Sequence, residues 1–160
     1  MKRKIDVELS DKGIKELQKG LKDYDKWLKA KTDELAKRLA DMGVQKAELY
    51  FSAAIYDGIY DYEVHAEKCE GGYVVKAGGE KILFIEFGSG LIGYGHPEVQ
   101  NMGPGTYPGK GHWNDPKGWW YSDEDGSGHH SYGNPPNMPM YNTVKELEQE
   151  LERVVREVFR

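Results

Sequence analysis

The sequence predicts an α+β fold: N-terminal helices, a small antiparallel sheet laid out as a meander, a long Gly/Pro/aromatic loop, and a C-terminal amphipathic helix packed on the sheet. Three observations carry this. Apolar residues recur every three to four positions near both ends of the chain. Between residues 60 and 87 the period drops to two, and glycine pairs punctuate it. Residues 91–140 hold all seven prolines and sustain no period, which reads as a loop. At 160 residues the chain fits a single domain, 1–160. It divides into a helical region 10–56, a sheet region 58–90, a loop insertion 91–140 and a helix 143–159.

The elements follow in order. Residues 4–9 read as a short edge strand. Ser10 or Asp11 then caps a helix, because a short side-chain oxygen accepts from the free amides of a first turn. Ile14, Leu17, Leu21, Tyr24 and Leu28 share one helical face. Gly20 weakens that helix by about 1 kcal/mol relative to Ala. Leu35, Leu39 and Met42 continue the series, Gly43 interrupts it, and residues 44–55 read as further helix. Residues 11–55 are therefore expected to form one long broken helix or two to three shorter ones.

Tyr60, Tyr62, Val64 and Ala66 alternate with Asp61, Glu63 and His65, the pattern of a half-buried strand. Gly71-Gly72 makes a turn, residues 73–77 a second strand, Gly78-Gly79 a tight turn, and residues 81–87 a third strand. The third run is apolar on both faces, so a central, buried strand is expected, with Glu86 as its one polar member. Thr143 and Glu146 fit a capping box. Val144, Leu147, Leu151, Val154 and Val158 then make the closing amphipathic helix.

Composition narrows the function. Charged residues make up 31% and the net charge is −5, with a mean hydropathy of −0.76. Residues 1–46 carry 13 Lys/Arg against 9 Asp/Glu, or +4; residues 47–100 carry 3 against 9, or −6. No segment is basic enough for a duplex-binding surface, so no specific nucleic-acid binding is expected. No apolar run is long enough to span a bilayer. Met1-Lys2-Arg3-Lys4 is basic but a polar segment follows it, so no secretory leader is expected. The single cysteine, Cys69, makes an intrachain disulfide impossible and suits a reducing compartment.

Five features invite a chemical reading. His96, His112, Asp115, Asp123, Asp125, His129 and His130 offer imidazole and carboxylate ligands for zinc or a related ion. None of the helical two-histidine spacings is present, however, and adjacent histidines rarely reach one ion. The plain reading is polar residues on an exposed loop, so no metal or cofactor is expected. Tyr107, Trp113, Trp119, Trp120 and Tyr121 form an aromatic cluster that either packs the loop down or anchors an interface. Glu86 could be a buried acid or base, but no second acid, histidine or nucleophile stands beside it at a fixed spacing. A pairing with a backbone amide or a lysine is the simpler expectation. Cys69 lacks a neighbouring base and Gly88-Ser89-Gly90 lacks the lysine of a phosphate loop, so neither is assigned chemistry.

The order of elements, with the run Phe84-Ile85-Glu86-Phe87-Gly88-Ser89 and its following Gly90, resembles the HK97 gp10-like tail-component family of tailed phages and prophages. In that family the central strand reads as aromatic, aliphatic, Glu, Phe or Tyr, Gly, Thr or Ser. A Pro-aromatic-Leu-like element opens its last helix, and Pro139-Met140-Tyr141 looks like the counterpart. The resemblance covers roughly residues 5–90 and 134–160 by element order. The family's Asp-Thr-Gly element is replaced here by Tyr56-Asp57-Gly58-Ile59, and the loop 91–133 is longer than usual. The resemblance implies a non-enzymatic role at the head–tail junction, in a homo-oligomeric ring contacting other phage neck and tail proteins. It implies location in the virion, and in the host cytoplasm during assembly. The −6 of residues 47–100 fits a ring that does not retain passing DNA. Two other readings compete: a metal-dependent, cell wall-directed hydrolase built on residues 96–130, and a sugar-binding module using Trp113, Trp119 and Trp120.

Overall fold

The computed structural model of the protein describes residues 8, 10–55, 61–90, 116–122 and 125–160. The fold is α+β, with a long N-terminal helix, two small antiparallel hairpins and a C-terminal helix. Helix α1 spans Asp11–Ser52. Strands β1 (Glu63–Cys69) and β2 (Gly72–Gly78) form the first hairpin, and α2 (Ile82–Phe87) follows. Strands β3 (Trp119–Ser122) and β4 (Gly128–Ser131) form the second. Helix α3 spans Pro139–Val158.

Helix α1 begins where expected. The Ser10 backbone is extended, and its hydroxyl accepts from the Gly13 amide at 3.1 Å. The anticipated breaks do not occur: α1 runs unbroken for 42 residues through both Gly20 and Gly43. Helix propensity lost at two glycines is small against the packing of the middle and C-terminal turns. Gly43 has a positive reason to be there. A Cβ at this position would meet Val75 Cγ2 at 3.0 Å and Leu147 Cδ1 at 3.3 Å, so β2 and α3 both close onto the helix at this point. Ala40, Gly43 and Ala47, at spacings of three and four, are all buried and give that face its flatness.

Helix α3 runs antiparallel to α1. Near its start Glu146 meets Tyr50 and Lys46, and near its end Phe159 meets Trp27 edge-on at 5.9 Å. The core lies between these helices and the first hairpin. Phe51 and Ile85 are fully buried, with Ala47, Ala54, Tyr62, Val64, Ala77, Ile82 and Met140 packed around them. The Phe51 and Tyr62 rings stack at 5.0 Å. In the hairpin Glu63 pairs with Gly78 and Cys69 with Gly72, and Gly71 turns the chain with φ 86°.

Three expectations are overturned. Residues 82–87 form a single short helix rather than a central strand, so the sheet is a two-stranded hairpin and not a three-stranded meander. A six-residue apolar run satisfies either period. The helix puts Ile82 and Ile85 inward at i, i+3 and leaves Leu83 in solvent. The capping box is also absent, because α3 starts four residues earlier, at Pro139, where the ring occupies a position needing no amide donor. Thr143 is instead buried with its hydroxyl donating to the Pro139 carbonyl at 2.8 Å. Finally, the stretch read as structureless loop contains the second hairpin, in which Trp119 pairs with Ser131 and Ser122 with Gly128. The expected strand at 4–9, apart from Glu8, and residues 91–115 lie outside the described residues.

Candidate functional site

The run Phe84–Gly90 and the segment 134–141 lock together, and Glu86 is the centre of the lock. The first amides of a helix have no partner within it. The residue preceding α3, Met138, offers no side-chain acceptor and sits in the left-handed region at φ 53°, ψ 43°. Glu86 supplies what is missing. Its Oε2 accepts from the Met140 amide at 2.9 Å and its Oε1 from the Tyr141 amide at 3.0 Å. The backbone joins in: the Ile85 and Glu86 carbonyls accept from the Asn137 and Met138 amides at 3.0 and 3.1 Å. The end of α2 thereby caps the start of α3, and the carboxylate meets the positive end of the α3 dipole.

Glu86 is 7% exposed. Burial pushes its carboxyl above the ordinary glutamate range, and the two amides partly offset this by favouring the charged form. Both oxygens are engaged, so the group works as a cap through backbone amides, the simpler of the two expectations for it.

Ser89 and Asn134 extend the lock. Gly88, at φ 76°, turns the chain out of α2. The Ser89 hydroxyl then donates to the Asn134 side-chain oxygen. Asn134 Nδ2 donates to the Phe84 carbonyl at 2.8 Å. Ser89 and Gly90 also bridge to Asn134 and Gly133. Gly90, at φ 63°, lies so close to the Tyr132 carbonyl that a Cβ would stand 2.4 Å from it. Asn137 ties in the end of the long helix: its Oδ1 accepts from the Ile55 amide at 2.8 Å, and its Nδ2 donates to the Ile55 carbonyl at 2.9 Å.

The second candidate is the β3–β4 hairpin. Its register sets Trp120 across from His130 and Tyr121 across from His129. Successive strand residues face opposite sides, so the two histidines are separated. His129 stacks on Tyr121 at 5.4 Å. His130 sits between Trp120, at 5.0 Å, and Tyr132, at 4.7 Å, with Nε2 2.9 Å from the Lys117 carbonyl. In the Trp120–His130–Tyr132 row the two outer rings are open to solvent, Trp120 at 73%, and His130 between them is half-buried. Trp119 is half-buried, its ring 2.8 Å from where a Gly90 Cβ would lie.

No family model, curated protein or solved structure matches this chain. The site is therefore read from its geometry alone.

Of the candidate metal ligands, His96, His112, Asp115 and Asp123 lie outside the described residues, as do Tyr107 and Trp113 of the aromatic set. Asp125 accepts from the Ser127 amide at 2.8 Å within its own turn, which holds its carboxyl below the usual range. Among the described residues no group of three metal-ligating side chains converges. Of the residues that carry the resemblance, Glu86 joins the start of α3, while Phe84, Ser89 and Gly90 join residues 132–134 before it. Sequence reading missed Asn134 and Asn137. Their signal was the Asn-Pro-Pro-Asn-Met-Pro string, in which asparagine amides are placed to bond backbone that prolines keep extended.

Proposed function

We propose that the chain is a structural component of the head–tail junction of a tailed phage or prophage. It acts without chemistry of its own, through ring-type contacts with copies of itself and with other neck and tail proteins. One observation supports this above the others. Glu86, the single acid of the run that carries the resemblance, has both oxygens committed to the first amides of α3. The run thus serves architecture, as an assembly protein requires. The exposed Trp120 and Tyr132 rings, with His130 between them, add rigid aromatic area of the kind that anchors protein interfaces.

Deleting the gene from the genome that carries it tests the reading. The expected particles are DNA-filled heads that fail to join tails, restored by the gene supplied in trans. Normal infectious particles from the deletion, or empty unpackaged heads alone, would overturn it.

A further inference from the structure

Helix α1 is far longer than its partner. At 1.5 Å per residue its 42 residues span about 63 Å, and the 20 of α3 about 30 Å. The antiparallel pairing ends where Phe159 meets Trp27, so α1 continues past that contact for several turns. Between Asp11 and Ala30 only Gly13, Leu17 and Trp27 are less than exposed. Yet this part carries Ile14, Leu17, Leu21, Tyr24 and Leu28 at alternating spacings of three and four. That is the period of a helix-packing seam rather than of a solvated face. Ile14, Leu21 and Leu28 are between 39 and 49% exposed.

Helix α3 shows a matching feature along one flank, beside the face packed on α1. Tyr141, Val144, Glu148 and Leu151 follow the same three–four–three spacing. Its three apolar members are between 41 and 52% exposed. The inner side of α3 is already used against α1, through Leu147 and the buried Val154 and Val158.

Charge selects the pairing. Residues 11–30 carry six lysines against four acids, or +2. Among the described residues no ion pair engages Lys15, Lys19, Lys22 or Lys26. Residues 139–158 carry three bases against five acids, or −2, with Glu148 set within the apolar row. Two α1 ends meeting each other would oppose like charges beside a short seam, whereas α1 against α3 joins opposite ones.

We propose that the projecting N-terminal part of α1 from one copy docks along this exposed flank of α3 of a second copy, giving a head-to-tail contact between identical chains. Such a contact is heterologous: each copy offers one donor surface and one acceptor surface, and repetition closes a ring or extends a filament. It deepens the ring reading above by naming the contact that builds it, but stands on residues that the gene-deletion test does not touch.

The test is mass by light scattering on the purified full chain, across concentration and salt, with Leu21→Glu and Leu151→Glu. Both side chains are half-exposed, and circular dichroism checks that each variant keeps its helices. The wild type is expected to exceed dimer mass at high concentration and to dissociate as salt rises. Each variant alone is expected to weaken association at least tenfold. An equimolar mixture restores one intact contact, so it gives a one-to-one heterodimer that grows no further. A wild type that stays monomeric in the millimolar range overturns the proposal. So does a Leu151→Glu chain that associates normally, which would show α1 pairing with α1, or a mixture that stays monomeric. If Leu151→Glu does not fold, Val144→Glu takes its place. A ring contact that fails this test alongside tailless particles in the deletion would place assembly on another surface.

Discussion

At the scale of single residues, Glu86 is the position where the most depends on one side chain. Removing its carboxyl leaves two amides buried without partners, each worth about 1–3 kcal/mol. Glu86→Ala should therefore destabilise the fold by about 2–4 kcal/mol in urea unfolding. Glu86→Gln keeps one acceptor and turns an amide group toward the second N–H, so it should fall between wild type and Glu86→Ala. The pH dependence of the two glutamates near α3 has opposite sign. Burial raises the Glu86 carboxyl, so the folded chain holds that proton more tightly than the unfolded one. Its contribution is complete below the unfolded value and is lost as pH rises through the folded one. Hydrogen bonds first from Lys46 and then from Tyr50 lower the Glu146 carboxyl. Its contribution is present above the unfolded value and is lost as pH falls through the folded one. The cost of Glu86→Gln should thus be largest in acid and shrink toward neutrality, while the cost of Glu146→Gln should do the reverse. Urea unfolding at a series of pH values checks both signs.

At the scale of elements, the two interior glycines of α1 separate propensity from packing. A Cβ at Gly20 meets nothing within 4 Å, whereas one at Gly43 meets β2 and α3. Gly20→Ala should stabilise the chain by up to about 1 kcal/mol. Gly43→Ala should cost about 1 kcal/mol, because overpacking exceeds the propensity gained. Thermal melts of the two variants should shift in opposite directions. On the second hairpin, Trp120→Ala removes an exposed ring in contact with His130, so stability should change by no more than about 1 kcal/mol. Incorporation of the protein into particles should fall if that row is an interface, and equal amounts of wild type and variant in purified particles would exclude it. Residues 82–87 show why some elements were illegible in the sequence. Six apolar-rich residues fit either period, and what decides between them is the distant α3, whose free amides need Glu86. The Ser10 cap, the first hairpin and the amphipathic α3 were legible because their causes lie within a few neighbouring residues. The start of α3 was not. Thr143 and Glu146 have the spacing of a capping box, but Glu86 supplies the cap from more than fifty residues away.

At the scale of the whole molecule, the α+β class was legible from periodicity, while the partition of strands was not. Both strand pairings are local hairpins, and what periodicity does not show is how distant pieces join, which here falls to Asn134 and Asn137. They draw the segment before α3 onto α2 and onto the end of α1, making one framework from pieces far apart in sequence. The hairpin β3–β4 shares in this through Gly90 and Tyr132, so its aromatic row is carried on the same body as the core.

The cap that Glu86 places on α3 also bears on the order in which the chain acquires its structure. Helix α1 and the first hairpin are built from local contacts and can form within microseconds. Helix α3 receives its first-turn partners from a residue 54 positions upstream and packs its far end against Trp27. Its completion therefore waits on closure of two long loops, a slow class of event. A ribosome releasing this chain exposes an early rod and hairpin whose apolar side has no cover until α3 arrives. The finished fold is thus a late, all-at-once closure, and the twenty residues of α3 act as its latch.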